Sequence, residues 1–361
     1  MSSHSSKKVI SVMTLAFLLS LSTFSQIEEV YFLRSAPSDG IKILEAYVAP
    51  WADAIGAGLN GSWYNTAKPH KMGGFDFTLG FNAGLVPESA QTFDISSLGL
   101  SSSLSGTGTS PTIAGTDTEG PLMTYSAGGV TLASWHLPPG SDWKIIPVPT
   151  TQVGIGLPLG TELKLRVIPR IPVREAYIML LGAGLMHSII QYIPGNEVIP
   201  VDVSVFGGYT RVNIDVPFNL LPDPEIASNY SSEVNPEIYF DDQKLGTKFE
   251  AMNAGIIASV NLPVITFYGG LGYSKTRTLA GLEGHYPTPV AVTTGPGAPY
   301  AEYNDSGIKQ GEDFEKIDIE NFSGLRANAG FRIKLSVLTI HADYTRALYN
   351  VVSAGVGISF R

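Results

Sequence analysis

The sequence predicts an all-β fold: a transmembrane antiparallel β-barrel of about 12 to 14 strands with a short N-terminal helix. Three observations lead to this fold class. The last strand alternates apolar and small polar residues, 44% of the residues are hydrophobic, and only 15% are charged, whereas soluble domains average about 25% charged residues. The apolar residues are dispersed in alternation, and no run beyond the N-terminus is long enough for a spanning helix. A period of two with one apolar face is typical of a barrel wall between lipid and water.

The final strand, 349–360, shows the alternation most clearly. One face carries Val352, Ala354, Val356, Ile358 and Phe360, and the other carries Ser353, Gly355, Gly357 and Ser359. This order of residues resembles the C-terminal signal that the barrel-assembly machinery of bacteria reads, although Arg361 follows the usual terminal aromatic residue. We therefore expect that machinery as a partner and the bacterial outer membrane as the location. The last strand of a soluble sandwich is the alternative.

Residues 1–25 are predicted to be a signal peptide. Two lysines precede an apolar run, and the small Ser25 comes directly before the expected cleavage point at Gln26. An uncleaved anchor is the alternative. The expected partners of the mature chain are membrane lipid, lipopolysaccharide and the assembly machinery.

The segment 26–54 is predicted to be helical, and 55–361 is assigned to the barrel. Apolar residues recur at helical spacing over 38–48, and Pro50 is expected to end the helix. This helix would lie under the barrel or inside it as a hatch.

From residue 55 onward the hydrophobic period changes to two. The predicted strands are 57–64, 75–85, 123–135, 152–157, 162–167, 176–186, 201–211, 252–261, 265–274, 326–334, 338–345 and 349–360. With the first strand running outward, the long segments 212–248 and 276–321 are extracellular and the short turns are periplasmic, as in bacterial barrels. The segment 87–122 breaks this rule as a long periplasmic loop, and a hidden hairpin within it would raise the count to 14.

Alternation also predicts which side chains face the lumen. The candidate lumen-lining residues are Lys164, Arg166, Arg326, Arg332, Lys334, His341 and Asp343. They would either line a wet channel or pair with one another and with Glu162, because buried charges need partners. Tyr47, Trp51 and Tyr64 are candidates for the hatch or the solute route. Aromatic residues such as Trp51, Trp63, Tyr64, Phe267 and Tyr344 would otherwise anchor the barrel at the membrane interface.

Several classes of function are disfavoured. The formal charge of −9 and the pI near 5.2 argue against nucleic acid as a partner. The chain has no cysteine, which removes thiol chemistry. His70, His187 and His341 stand apart from any serine–histidine–aspartate pattern or metal-ligand spacing. We therefore expect no enzyme activity, no cofactor and no metal; an outer-membrane hydrolase, or a metal at His70 in a surface turn, is the alternative.

Two segments carry a family resemblance. Residues 58–70 read GLNGSWYNTAKPH and are followed by GGFD at 73–76; residues 184–195 read GLMHSIIQYIPG and are followed by GGYT at 207–210. These segments resemble an uncharacterised outer-membrane barrel family of Bacteroidota-type bacteria, which is similar in broad design to the FadL/TodX class of hydrophobic-compound transporters. The resemblance implies a barrel with an N-terminal hatch and passive transport of small hydrophobic molecules. It assigns no ligand-binding residue, because the Asn-Pro-Ala start of the FadL/TodX class is missing here.

The resemblance leaves a second function open. A barrel that does not transport could scaffold a secretion or envelope complex. Its binding surface would be a short periplasmic helix near Ile189–Ile193 or the long outer loops.

Overall fold

The structure is a computed structural model. It describes residues 37–127, 130–174, 176–195, 200–217, 240–287, 290–292, 300–302, 308–311, 316–319 and 323–360. The expected signal peptide, the acidic residues 312–315 and Arg361 lie outside the described residues.

Ten antiparallel strands close into one barrel. They are β1 (Phe75–Leu85), β2 (Ile145–Leu157), β3 (Thr161–Val173), β4 (Ala176–Ser188), β5 (Val201–Pro217), β6 (Lys244–Asn261), β7 (Ile265–Glu283), β8 (Ser323–Leu335), β9 (Leu338–Arg346) and β10 (Asn350–Phe360). Each strand pairs with the next in sequence, and β1 pairs with β10 so that Phe75 lies opposite Phe360. This closure leaves no free sheet edge in the wall.

The barrel has the reverse of a soluble protein's polarity. Apolar side chains such as Phe77, Ile340 and Val356 are exposed on the outside, whereas Thr78, His341 and other polar side chains are buried inside. This polarity is typical of a barrel whose outer face meets lipid and whose interior is polar. The predicted fold class is thus confirmed, and the barrel is compatible with a bacterial outer membrane. Among the described residues, no helix combines the length and the apolar character needed to cross a membrane.

The predicted strand number is wrong, because two alternating segments do not belong to the wall. Residues 57–59 end a helix, and residues 60–64 lie inside the barrel without strand structure. Residues 122–127 and 130–136 pair with each other in a small separate sheet. Alternation alone marks an extended segment or a small sheet as readily as a wall strand.

The connections divide the barrel into two ends. At one end, here called the turn end, 158–160, 262–264 and 336–337 are short turns, and β1 begins there. At the other, the loop end, 86–144 and the chain between β7 and β8 are long. The prediction that 87–122 is a periplasmic loop is therefore wrong: this segment shares the loop end with the other long connections.

The N-terminal helix, α1 (Pro37–Leu59), is longer than predicted and lies inside the barrel. It starts at the loop end, where Lys42 Nζ donates to Gly99 O at 2.7 Å. It continues through Pro50 to Leu59, so the expected end near Pro50 is wrong. A proline removes one helical hydrogen bond, but Trp51, Ala54 and Ala57, which follow Pro50, are buried against Ile146 of β2 and Val351 of β10. This packing holds the second half of the helix in the barrel.

Residues 86–144 form a cap over the loop end. Inside the cap, Ile43 of α1 packs with Ile95, Leu104, Met123 and Leu137. The backbone N–H of Ile113 donates to Tyr47 O at 3.0 Å. The cap therefore holds the start of α1 through its own small apolar core.

Candidate functional site in the filled lumen

Residues 60–74, which we call the plug, run through the lumen from the end of α1 to the start of β1. Their backbone groups bond to the wall at successive levels. Arg166 is fully buried and donates from Nη1 to Leu59 O at 2.7 Å and from Nη2 to Gly61 O at 2.6 Å. Its guanidinium also lies 3.7 Å from the centre of the Trp63 ring. One wall arginine thus fixes both the end of α1 and the start of the plug.

Further wall side chains bond to the next plug carbonyls. Arg326 Nη1 donates to Asn60 O at 2.7 Å, and Asn253 Nδ2 donates to the same oxygen at 3.0 Å. Gln152 Nε2 donates to Trp63 O at 3.2 Å. Buried carbonyl groups away from water need such partners, so the lumen is chemically matched to a seated plug.

The plug is also latched near the turn end. Ser204 Oγ donates to Ala67 O at 2.6 Å, and Ala67 N donates to Ser259 Oγ at 3.0 Å. The backbone N–H of His70 donates to Glu162 Oε2 at 2.9 Å. These contacts join the plug to strands β3, β5 and β6.

The sequence predicts that His70 lies in a surface turn, and this prediction is wrong. Its side chain is only 9% exposed, with Nδ1 3.0 Å from Glu162 Oε2 and Nε2 3.0 Å from Ser359 Oγ. Ligand atoms of His70, Asp76 and Glu162 lie within 4.8 Å of one another, which is close enough for a metal ion. Lys164 already pairs with Glu162 here, and this ammonium supplies the positive charge that a metal ion would bring.

The remaining charged candidates point inward without forming one ion-paired network. Arg332 Nη1 donates to Asn65 Oδ1 at 3.2 Å, and Lys334 Nζ donates to Ser359 Oγ at 3.2 Å. Asp343 Oδ2 accepts from Tyr268 OH at 3.0 Å. His341 is buried, and neither ring nitrogen has a partner among the described residues. Mutual pairing, one of the two predicted roles, therefore holds only for Lys164 and Glu162; the arginines bind the plug instead.

Aromatic residues of the plug pack on glycines of the wall. Trp63 is 1% exposed, and its ring is 5.5 Å from the ring of Phe206. A Cβ atom on Gly208 would lie 3.0 Å from Trp63, and one on Gly184 would lie 2.9 Å from it. These two glycines on β4 and β5 leave the room that the tryptophan occupies.

The aromatic residues of α1 and the plug are not interface anchors. Trp51 is buried, and its Nε1 donates to Trp143 O of the cap at 3.2 Å. Tyr47 OH donates to Pro139 O at 2.8 Å, and Tyr64 OH donates to Asn328 Oδ1 at 2.7 Å. They attach the hatch to the cap and the wall, because the chain around them lies inside the barrel. Phe267 and Tyr344, by contrast, are 52% and 43% exposed on the outer face.

One side of the lumen near the loop end is apolar. We call this cluster the apolar basin; it consists of Val148, Val173, Ala176, Ile178, Leu180, Val212, Ile214, Phe249 and Ala251 on β2 to β6 with Ala52 and Leu59 of α1. Half-buried Ile168, Ile171 and Val216 lie at its edge. The basin explains why residues 176–186 are apolar on both faces: one face meets lipid and the other meets the basin.

Below the basin, a small cleft reaches the wall between β6 and β7. Gly255 and Gly272 pair across it, and the inner side chains that line it are Tyr64, Phe206, Ile257, Asn253 and Arg326. Its volume is about 10 Å³, which is room for one water molecule. The wall is thin here because two paired glycines carry no side chain.

Sequence reasoning missed the plug and the basin. The alternation predicts wall over 60–64, although Gly61 interrupts the apolar face between Leu59 and Trp63. The basin could not be predicted, because the sequence does not show which strands face α1.

A family model described as a family of unknown function, DUF6588, matches residues 6–360. The chain belongs to this family. The predicted membership of an uncharacterised family is thus confirmed, whereas a Bacteroidota source stays a prediction. No curated protein matches the sequence of this DUF6588 chain.

Solved structures similar to the DUF6588 chain include several barrels. The translocator domain of the autotransporter NalP from Neisseria meningitidis is 11% identical, with 91% of this chain and 99% of that chain covered and a TM-score of 0.26. The toluene transporter TodX of Pseudomonas putida is 10% identical, with 87% and 71% covered and a TM-score of 0.27. Ail of Yersinia pestis is 8% identical, with 80% and 98% covered and a TM-score of 0.24.

Proposed function

We propose that this chain is an outer-membrane barrel for passive transport of small hydrophobic molecules, which enter at the loop end beside α1. The apolar basin carries this proposal. Barrel interiors that meet water are polar, yet inward-facing Ile178, Leu180 and Val212 are all buried among other apolar groups. An apolar solute gains about 0.8 kcal/mol for each CH2 group that leaves water.

The solute would leave sideways through the wall. Arg166 and the plug carbonyls block the straight route to the turn end for an apolar molecule, because the solute cannot replace their hydrogen bonds. The cleft at Gly255 and Gly272 lies next to the basin and opens towards lipid. At its present size the cleft has room for no more than one water molecule, so transport requires β6 and β7 to part at this level.

A bulky residue in the basin tests the proposal. Ala251 faces the basin and is 1% exposed, whereas Ala258, seven residues along β6, faces lipid and lies outside the cleft. Cells that express the wild type should take up the small apolar dye N-phenylnaphthylamine faster than cells without the barrel. Ala251→Trp should reduce uptake to the level without the barrel, because the indole crowds the basin, and Ala258→Trp should leave uptake unchanged.

The amount of folded barrel in each strain is measured by its heat-dependent migration in gels. Equal uptake with all three proteins, at equal amounts of folded barrel, would contradict transport through the basin.

That result would favour a second candidate function, a barrel that scaffolds an envelope complex. One observation supports it: at the turn end, beyond β4, Tyr192 at the end of the short helix Ile190–Tyr192 is 68% exposed, and the next residue, Ile193, is 49% exposed. Exposed apolar groups at a rim are typical of contact surfaces.

A further inference from the structure

The outer face of the barrel carries a row of basic side chains on three adjacent strands. The row consists of Arg211 on β5, Lys248 on β6, and Lys275 and Arg277 on β7. All four face outward, because their neighbours along each strand, such as Thr210, Phe249 and Thr276, are buried inside the barrel. In the sheet register, Arg211 lies opposite Glu250, which lies opposite Arg277.

Two tyrosines lie next to the row, and the row is nearer to the loop end than they are. Tyr209 and Tyr273 are 42% and 50% exposed on the same outer face, each two residues before a member of the row. Tyrosines of this kind lie at the membrane–water interface. A strand rises about 3.3 Å per residue, so the basic groups lie within roughly 15 Å of that interface, at the depth of lipid head groups.

Positive charge exceeds negative charge in the row. Glu250 pairs with Lys248 at 2.7 Å and accepts from Tyr209 OH at 2.9 Å, and Arg277 Nε donates to Asp318 Oδ1 at 2.8 Å. Within the described part of the chain, neither Arg211 nor Lys275 forms an ion pair. This local excess stands out in a chain whose formal charge is −9.

We propose that this row binds the phosphate groups of a phosphorylated glycolipid in the outer leaflet. The occupant follows from three properties of the surface: it is cationic, it faces lipid rather than the lumen, and it lies at the end with the long loops. Arginine and lysine both bind phosphate, arginine through two parallel hydrogen bonds. The apolar outer face below the row, with Ile256 and Leu271, would meet the acyl chains. The inference assumes that the loop end faces the cell exterior, and it is independent of solute transport.

Removal of the two cations without an ion pair tests the site. The purified full-length barrel in detergent is titrated with lipid A, a diphosphorylated glycolipid, and binding is followed by native mass spectrometry. Each cation near an anionic lipid surface contributes about 1 kcal/mol, so Arg211→Gln with Lys275→Gln should bind about thirtyfold more weakly. The matched double variant Lys68→Gln with Lys71→Gln removes equal charge at the turn end and should bind as the wild type does.

Three further probes decide between sources of the phosphate. Dephosphorylated lipid A should bind the wild type no better than it binds the double variant. Inorganic phosphate at the same concentration, and phosphatidylglycerol, should not displace lipid A. The proposal would be overturned if either one displaced lipid A, or if the wild type bound dephosphorylated lipid A as tightly as lipid A. Equal affinity of the wild type and the Arg211/Lys275 variant for lipid A would overturn it too.

Discussion

At the scale of single residues, two neighbouring glycines show how the wall and the plug depend on each other. Gly208 faces inward, where a Cβ atom would lie 2.8 Å from Phe206 and 3.0 Å from Trp63. Gly207 faces outward, where a Cβ atom would have no neighbour within 4 Å. The sequence shows only a pair of glycines, and the plug gives one of them its role.

Valine at these two positions should have opposite consequences. Gly208→Val would push against the packed Trp63 and Phe206 rings, and overpacking of this kind costs about 1–3 kcal/mol. Gly207→Val adds a β-branched side chain in open space on the lipid face and should leave stability unchanged or slightly higher. Urea unfolding of the barrel in lipid vesicles gives both free energies of unfolding. Equal destabilisation by the two variants would contradict the seated position of Trp63.

At the scale of elements, α1 is attached to the cap through its first turn. Both carboxylate oxygens of Asp39 accept from Ser101 N at 3.1 Å, and Lys42 Nζ lies 3.5 Å from Oδ1. Burial alone would raise the pKa of Asp39, but the hydrogen bonds from Ser101 and the charge of Lys42 outweigh burial and hold the pKa below its ordinary value of 3.8. The ionised form therefore stabilises the junction between helix and cap.

The pH dependence of this junction follows from the sign of the shift. Because the folded pKa is lowered, the stabilisation is complete well above pH 3.8 and is lost as pH falls through the folded value. At pH 6, Asp39→Asn should speed hydrogen exchange of the amides around Ile43 roughly five- to thirtyfold relative to the wild type, as expected for about 1–2 kcal/mol. At a pH below 3.8 that is low enough to protonate Asp39 in the folded protein, the two proteins should converge.

Asp117 gives a matched control, because it is an exposed carboxylate of the same cap. Asp117→Asn should exchange at the wild-type rate at both pH values. A difference between wild type and Asp39→Asn that does not change with pH would contradict the role of the ionised carboxylate.

At the scale of the whole molecule, the wall of the lumen carries a small excess of basic side chains. Its buried or half-buried charged side chains are Lys164, Arg166, Arg326, Arg332 and Lys334 against Asp76, Glu162, Asp202 and Asp343. In the intact barrel, carbonyls of the plug accept from Arg166 and Arg326. A barrel without its plug would therefore expose these two arginines to the lumen.

Replacing residues 60–70 with a Gly-Ser segment of equal length should open the lumen to ions. We expect steady conductance in planar bilayers with a preference for anions, since rings of basic side chains select anions, whereas the wild type should stay closed. In the plugless barrel, Arg166→Gln should lower the anion preference. Arg170 is 58% exposed outside the lumen, so the control Arg170→Gln should leave the anion preference unchanged. Cation preference, or open channels in the wild type, would contradict this account.

The sequence by itself determined the wall. Alternation placed β1, β9 and β10 within a residue or two of their bounds, and it assigned the inward side of Arg166, Arg326 and His341, because a period of two admits only two faces. Low charge and dispersed apolar residues were sufficient for the fold class.

Only the tertiary structure decided what fills the barrel. Whether residues 60–64 form wall or plug depends on Arg166, more than 100 positions away, which reaches the carbonyls of Leu59 and Gly61. Likewise, the apolar inner face of β4 has a meaning only because α1 lies beside it. Local patterns determine which face of a strand a side chain takes. What that face contacts is determined by hydrogen bonds and packing between distant segments, because no pattern of neighbouring residues encodes a partner so far along the chain.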